Sequence, residues 1–237
     1  HDPVFYTPRA RKDEVTLPLT VVQNKAYLQG TVKVDGKQEI PVKLLMDTGS
    51  SDALWLFPNP EKGITVPPKN YEDYLGKGLS GTIYGRRTKI EQIRIGDYVL
   101  QEAKTAFPHM ESFRLAGDLG DRNGSAGGEL LKRFNMVVNY PEGTITLKKN
   151  SLFDEPFQFN LAGIELEHAG VRYIAERIAT ANGFVRSDEN TFGNVQITLG
   201  DQTRLSLVPE IVVSAIRAGS PAEDVGLKEG DVILAVN

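Results

Sequence analysis

The acidic side chain of Asp47 lies in a sequence context that suits acid–base chemistry. It follows the largely apolar run 41–46 and precedes Thr48, Gly49 and Ser50, a turn rich in hydroxyl groups. A strand buried on both faces reads as such a run, so the pattern delivers the carboxylate to the inner end of a strand. A buried ionised carboxylate is costly unless it is hydrogen-bonded. We therefore expect the hydroxyl groups and the Gly49 amide to form a polar cradle around Asp47.

The residues after this turn distinguish it from an ordinary turn. Asp-Thr-Gly alone is common in turns, because Asp caps backbone groups and Gly adopts positive φ. Here the apolar segment 53–57, which contains Trp55, follows the turn, so two apolar segments frame it. That framing favours a functional site.

The stretch DTGSS, with a Trp soon after it, resembles the active-site loop of aspartic proteases. In that family, Asp-Thr-Gly followed by Ser or Ala carries the catalytic carboxylate. The resemblance implies a catalytic Asp47 supported by Thr48, Gly49 and Ser50, with the Ser50 hydroxyl donating to an Asp47 oxygen. Trp55 comes one residue later than in the pepsin-like members.

A second stretch, 76–88, is rich in glycine and precedes an apolar strand. One interpretation is a mobile hairpin, because glycine-rich strands are weakly specified. The other is a lid, since Gly78, Leu79, Ser80 and Gly81 resemble the tip of the flap in retroviral-type aspartic proteases. Backbone amides at such a tip can bind an extended peptide whatever its side chains, and its motion would gate entry.

Residues 124–147 extend the resemblance. The pattern G-x-x-G-x-x-L-L, then F-N, an apolar strand, a Tyr-Pro turn and a last strand, is close to the C-terminal signature of retroviral-type proteases and their bacterial relatives. Apolar spacing predicts a helix over 129–134 and a hairpin ending in a strand over 144–147. Ser125 and Ala126 replace two bulky apolar residues usual in those relatives, so we expect looser packing behind the catalytic loop.

The remaining strands of this part follow from alternation and turn signals. Pro18 predicts an edge position for the first strand, and Asp35-Gly36 predicts a hairpin between the second and third. The proline-rich segment 58–68 predicts an irregular loop. In chain order, the predicted strands cover 15–19, 27–34, 39–46, 89–95 and 98–106.

The end of the chain, from Ile211, resembles the PDZ domains attached to many bacterial proteases. The matching residues are Gly219, Ser220, Pro221, Ala222, Gly226, Leu227, Gly230, Asp231, Ile233 and Asn237. Physically, Pro221 fits the first turn of a short helix capped by Ser220. Alternation over 232–236 predicts a strand.

The same resemblance implies a peptide-binding loop at the other end of this region. Ala162, Gly163 and Ile164 would offer backbone amides to a peptide C-terminus. PDZ domains normally continue past the point where this sequence stops, with a helix that walls the groove. We therefore expect an incomplete PDZ-like domain, with several short strands over 171–207.

Length and composition bound the function. The 237 residues allow two domains, which we place at 1–150 and 151–237, the second opening with a linker over 151–159 that carries aromatic anchors. A net charge of -4 gives no indication of a nucleic-acid-binding surface. No apolar run has the length of a membrane span. The absence of Cys excludes thiol chemistry and thiolate zinc sites.

The sequence gives weaker indications of metal binding and of the compartment in which the protein acts. The three histidines, His1, His109 and His168, lack metal-ligand spacing, so we expect no metal and no cofactor. The sequence begins with His1 rather than Met, which a cleaved export signal would explain. We expect an exported protein, periplasmic or extracellular. Trimming of the sequence would also explain this start and leaves the cytoplasm open.

The combined expectation is a mainly β protein: a retropepsin-like aspartic protease β-barrel with one short helix, followed by an incomplete PDZ-like β domain. The resemblance implies an endopeptidase that acts on polypeptides as a homodimer with Asp47 from each chain. The alternative is a catalytically silent peptide-binding scaffold. A phosphoryl-acceptor role for Asp47 lacks the companion motifs it would need.

Overall fold

The computed structural model describes residues 13–36, 38–78, 81–113, 119–178 and 202–236. The chain divides into two compact units, His1–Leu161 and Ala162–Asn237. None of the helices in these described ranges has the length and apolar character that a membrane-spanning helix needs.

The first unit is built on a ten-stranded sheet. Its strands are β1 (Glu14–Val22), β2 (Lys25–Lys33), β3 (Ile40–Asp47), β4 (Leu54–Leu56), β5 (Tyr71–Gly78), β6 (Gly81–Ile95), β7 (Tyr98–Pro108), β8 (Gly124–Gly127), β9 (Phe134–Asn139) and β10 (Thr144–Lys149). Two short 3-10 helices, Pro60–Lys62 and Met110–Phe113, and one α-helix, α1 (Gly128–Leu131), connect them.

The strand order closes part of this sheet into a barrel. The order is β5-β6-β7-β4-β8-β3-β2-β1-β10-β9, and β6 also pairs with β2. The strands β2, β3, β8, β4, β7 and β6 therefore form a closed ring. Its interior is filled by apolar side chains, with Leu28, Leu44, Leu54 and Ile93 at most 1% exposed. Burial of such side chains is the main stabilising term for a fold of this kind.

The predicted strands of the first unit are present, but the prediction that the first strand lies at the edge of the sheet is wrong. β1 pairs with β10 through Glu14–Pro18 and with β2 through Leu19–Val22. Pro18, which has no N–H to donate, lies where β1 changes partners. The proline therefore marks a switch between neighbours inside the sheet.

The helix is shorter than the predicted 129–134. α1 ends at Leu131, with Leu130 and Leu131 buried, and Phe134 already begins β9. Pairing of Phe134 with Lys149 of β10 ends the helix, because residues in a strand ladder cannot keep helical hydrogen bonds.

The expectation of looser packing around Ser125 and Ala126 is also wrong. All four residues of β8 are buried between β3 and β4. A Cβ on Gly124 would lie 1.8 Å from the Trp55 carbonyl oxygen, and a Cβ on Gly127 would lie 2.2 Å from that of Asp52. Small residues are present here because the neighbouring backbones approach too closely for larger ones.

Residues 151–159 pack on the first unit instead of serving only as a linker. Phe153 and Phe157 are buried in its core cluster. Arg133, 1% exposed, donates through Nη1 to the carbonyl oxygens of Leu152, Phe153 and Glu155, and its Cζ lies 3.8 Å from the Phe157 ring centroid. The compact unit therefore ends at Leu161, later than the predicted residue 150.

The second unit contains an antiparallel pair, β11 (Ile164–Ile178) and β12 (Gln202–Ile216), and a short helix, α2 (Pro221–Asp224). β11 and β12 occupy the described ends of the segment 171–207, where several short strands were expected, and residues 179–201 of that segment lie outside the described residues. Ser220 caps α2 as predicted, its hydroxyl accepting from the Glu223 N–H at 3.4 Å. The strand predicted over 232–236 is wrong, because only Val232 forms a bridge, to Val212.

Candidate active site

The chain delivers Asp47 to the end of a paired strand, as the sequence predicts. Asp47 is the last residue of β3, and it is aligned in parallel register with Gly127 of β8. The side chain is half-buried, while Thr48 and Gly49 are exposed. The Gly49 N–H donates to Asp47 Oδ1 at 3.1 Å. The backbone amide therefore holds one oxygen of the carboxylate in place.

The loop 47–51 is held from behind by the start of α1. The Gly128 N–H donates to the Ser50 carbonyl oxygen at 2.7 Å, and the Gly127 N–H donates to that of Ala53 at 3.0 Å. These bonds tie the loop to the two glycines that end β8 and begin α1. The loop therefore rests on backbone contacts rather than on flexible side chains.

Ser50 does not make the hydrogen bond to Asp47 that the family resemblance implies. Its Oγ accepts from the Asp52 N–H at 3.4 Å. A Cβ added to Gly127 would lie 3.1 Å from the same Oγ, so the hydroxyl is directed toward β8. The Gly49 amide is the donor to Asp47 that the described part of the chain provides.

A cavity of about 670 Å³ opens beside Asp47. Its walls come from the Asp47 loop, from β2 and β4, from the β5–β6 hairpin and from the residues around Arg122. The residues that line the cavity include Lys25, Tyr27, Leu45, Asp47, Trp55, Phe57, Leu75, Gly76, Lys77, Gly78, Ile83 and Arg122. The size is that of a ligand-binding cleft.

The β5–β6 hairpin forms one wall of this cavity. Gly78 pairs with Gly81 at its described end, while Leu79 and Ser80 of the predicted tip lie outside the described residues. A register shift falls between Tyr74 and Gly76. Gly76 and Gly78 of the glycine-rich stretch thus line the same cavity as Asp47.

A buried charge cluster behind the loop escaped the sequence reasoning. Arg87 of β6 contacts Asp52 Oδ1 through Nη1 and Asp73 Oδ2 through Nε, the latter at 2.7 Å. Trp55 Nε1 donates to Asp52 Oδ2 at 2.7 Å. Burial lowers the pKa of Arg87, but the two carboxylates outweigh it and the pKa is raised. The acidic residue at position 52, directly after DTGSS, was the sequence signal that could have indicated this cluster.

The cluster continues toward α1. Lys104 of β7 lies 2.5 Å from Glu129 Oε2 and 4.0 Å from Asp52 Oδ1. All of these side chains are at most 15% exposed. Ionic contacts therefore connect the hairpin, β7 and α1 with the residue that follows the Asp47 loop.

The predicted carboxylate loop of the second unit lies where β11 begins. The carbonyl oxygens of Ala162 and Gly163 accept from the N–H groups of Ala222 and Arg217 at 3.1 and 2.8 Å. Gly163 has a φ of +75°, and a Cβ there would lie 2.2 Å from Ser220 Cβ. Ile164 begins β11 opposite Ile216. The carbonyl groups of the loop thus fix it to α2 and to the residue that follows β12.

The described histidines have local partners. His109 Nε2 lies 2.7 Å from Glu72 Oε1, and His168 Nδ1 accepts from the Gly170 N–H at 3.3 Å. No group of three or more His, Asp or Glu side chains that could hold a metal converges in the described ranges.

Comparisons with known proteins match both units. Residues 30–120 match the family model described as aspartyl protease, and residues 212–237 match the one described as PDZ domain. The chain is also similar to a solved retropepsin-like aspartic protease from Rickettsia conorii, at 18% identity, 56% coverage of this chain and 98% of that one, with a TM-score of 0.40. No curated protein matched. The chain therefore resembles aspartyl proteases over residues 30–120 and PDZ domains over residues 212–237.

Proposed function

We propose that this chain is an aspartic endopeptidase whose active site is completed by a second copy of itself. The observation that carries the proposal is the position of Asp47. Its half-buried carboxylate accepts from the Gly49 N–H and lines a cavity of about 670 Å³ that the glycine-rich hairpin covers on one side. A carboxylate, a cleft and a lid are the parts that peptide hydrolysis by an aspartic protease needs.

The chemistry follows from two carboxylates held close together. Two such groups share one proton, because like charges at that distance cannot both ionise. The ionised Asp47 takes a proton from a water molecule, and the oxygen of that water attacks the peptide carbonyl carbon. The protonated Asp47 donates to the carbonyl oxygen. The resulting diol collapses, the C–N bond breaks, and a proton passes to the leaving nitrogen.

Assembly from two chains is required because one chain holds half of these groups. The sequence contains a single Asp-Thr-Gly. The tripeptides that begin at Asp118 and Asp224 lack the Thr or Ser that braces paired loops. A twofold axis beside Asp47 would bring the carboxylate against its own copy in a self-complementary interface. The exposure of Thr48 suits a residue that braces the partner's loop.

The hairpin supplies the substrate contacts in this scheme. Leu75, Gly76 and Lys77 of β5 face the same cavity as Asp47. An extended peptide in the cavity would lie between the hairpin and the Asp47 loop and bind through its backbone. Gly78, Leu79, Ser80 and Gly81 would close over it.

The decisive experiment compares the intact protein with Asp47→Asn on a mixed peptide library, with cleavage products identified by mass spectrometry. We expect internal cleavage by the wild type and at least a hundredfold loss in the variant. Equal cleavage by the two proteins would mean that a contaminant acts. Absence of cleavage by both, with peptide binding retained, would favour the silent scaffold.

A further inference from the structure

The cavity beside Asp47 carries an excess of positive charge. Three cations, Lys25, Lys77 and Arg122, line it, whereas Asp47 is the one anionic side chain among the lining residues that the structure describes. None of the three cations forms an ion pair within the described ranges. The protein as a whole has a net charge of -4, so this local sign is opposite to the overall one.

Arg122 is the member of this set that the fold holds in place. Its Cζ lies 5.2 Å from the ring centroid of Phe57, so the guanidinium is stacked on an aromatic face. Its Nε is buried and has no hydrogen-bond partner in the described part of the chain. Burial lowers the pKa of Arg122, partly offset by Tyr27 and Asp47, but an Arg stays charged in proteins.

The neighbouring acid does not neutralise this charge. Asp121 precedes Arg122 in the chain, yet its Oδ1 accepts from Lys43 Nζ at 2.7 Å. Lys43 in turn lies 5.1 Å from the Tyr27 ring centroid. The fold therefore pairs Asp121 with a different cation and leaves the guanidinium without a salt bridge in the described ranges, with Asp47 acting on it only at longer range.

An unpaired, partly desolvated guanidinium is a strong site for a carboxylate. Hydrogen bonds between two charged groups are about twice as strong as neutral ones, and Arg offers a planar fork that fits a carboxylate. The remaining walls are mostly apolar, with Leu45, Trp55, Leu75 and Ile83 among them. A peptide that places one acidic side chain on Arg122 and apolar side chains on these walls would match the cavity.

We propose that Arg122 determines specificity by binding an Asp or Glu side chain of the substrate, so that the enzyme selects acidic peptides. This inference rests on the proposed peptidase function. Lys25 and Lys77, both exposed at the same cavity, reinforce the preference through their charge. Because exposed charges are screened by salt, the contribution of the two lysines weakens with ionic strength more than that of Arg122.

The first test measures kcat/KM for pairs of peptides that differ by a Glu-to-Gln exchange, taken from sites cleaved in the library. We expect the wild type to prefer the Glu peptide of at least one pair by tenfold or more. Arg122→Gln should bring that ratio to about one, and Arg122→Glu should favour a Lys peptide. Arg94→Gln is the matched control and should keep the wild-type ratio, because Arg94 of β6 is half-buried, pairs with Glu39 and does not line the cavity.

The second test measures binding without cleavage. Trp55 is the single Trp of the chain and lines the cavity, so its fluorescence reports occupancy. In Asp47→Asn, the Glu peptide should bind at least tenfold more tightly than its Gln counterpart, and the added Arg122→Gln change should remove the difference.

The two tests separate the two proposals. Cleavage of neutral and acidic peptides at equal rates would overturn the specificity proposal and leave the peptidase intact. Absence of cleavage together with Arg122-dependent binding of acidic peptides would overturn the peptidase alone. A wild-type preference that persists in Arg122→Gln would overturn the role of Arg122, as would equal binding of the two peptides. Sedimentation of each variant checks that assembly is retained. An Arg122→Gln variant that dissociates and loses cleavage of all peptides would assign the residue to the subunit interface and overturn its role in specificity.

Discussion

Arg87 and Asp52 form an ion pair in which both side chains are buried, with 9% and 5% of their side-chain surfaces exposed. Arg87 belongs to the hairpin that lines the Asp47 cavity, and Asp52 follows the Asp47 loop. The pair therefore connects the β5–β6 hairpin directly to the residue that follows the Asp47 loop.

Removal of Arg87 should destabilise the first unit strongly. Arg87→Met leaves Asp52 and Asp73 buried without their cation, and breaking a buried pair in this way costs about 3–5 kcal/mol. Chemical denaturation should show this loss. The adjacent Arg86, 47% exposed and paired with Glu72, provides the matched control. Arg86→Met should cost at most about 1 kcal/mol. Equal losses in the two variants would contradict the structural role of the buried pair.

Stiffening the end of the hairpin should lower turnover. Replacing Gly78 and Gly81 with Val restricts a backbone that reaches a φ of +111° at Gly81. We expect kcat to fall at least tenfold in a peptide-cleavage assay, while thermal unfolding of the core changes little.

Gly36 tests whether that loss is specific to the lid. It has a φ of +64° in the turn between β2 and β3 and open space around it, so Gly36→Val introduces a similar strain away from the Asp47 cavity. This variant should keep its kcat. Full activity in the Gly78 and Gly81 double variant would remove the lid interpretation.

Mixing should reveal a shared active site. Wild type incubated with a ~ninefold excess of Asp47→Asn, long enough for subunits to exchange, leaves about one wild-type subunit in ten with a wild-type partner. Activity per wild-type subunit should fall accordingly. A protein that sediments as a monomer at micromolar concentration and cleaves peptides in proportion to its own concentration would rule out the shared site.

The pH profile of Ser50→Ala should match that of the wild type. We expect an acidic optimum, because one Asp47 carboxylate must be protonated and the other ionised. Although the family resemblance implied that removal of the hydroxyl would move this optimum upward, Ser50 Oγ contacts the Asp52 N–H instead. The Gly49 N–H, which donates to Asp47 Oδ1, is retained in this variant. An upward shift would show that the hydroxyl reaches Asp47 in the assembled enzyme.

Local signals carried most of what the sequence could predict. The apolar run before Asp47, the Asp35-Gly36 turn and the Ser220-Pro221 cap each act within a few residues, and the structure has the corresponding strand, hairpin and helix start. Such features follow from backbone preferences of neighbouring residues.

Three of the misses depend on distant partners. The change of partner at Pro18 needs β10, which lies at the other end of the unit, and the early end of α1 needs the pairing of Phe134 with Lys149. Arg87 and Asp52 are separated by 35 residues. Periodicity within a segment contains no information about which segment lies opposite, so none of these contacts could be inferred from it.

The anchoring of residues 151–159 decides where the protein can be cut. Arg133 holds the carbonyl groups of Leu152, Phe153 and Glu155, and Phe153 and Phe157 complete the core. A fragment ending at residue 150 would keep Asp47 and the hairpin but would leave Arg133 Nη1 without its three acceptors and two aromatic sites empty. Dissection of the protease unit should therefore retain the chain through Leu161.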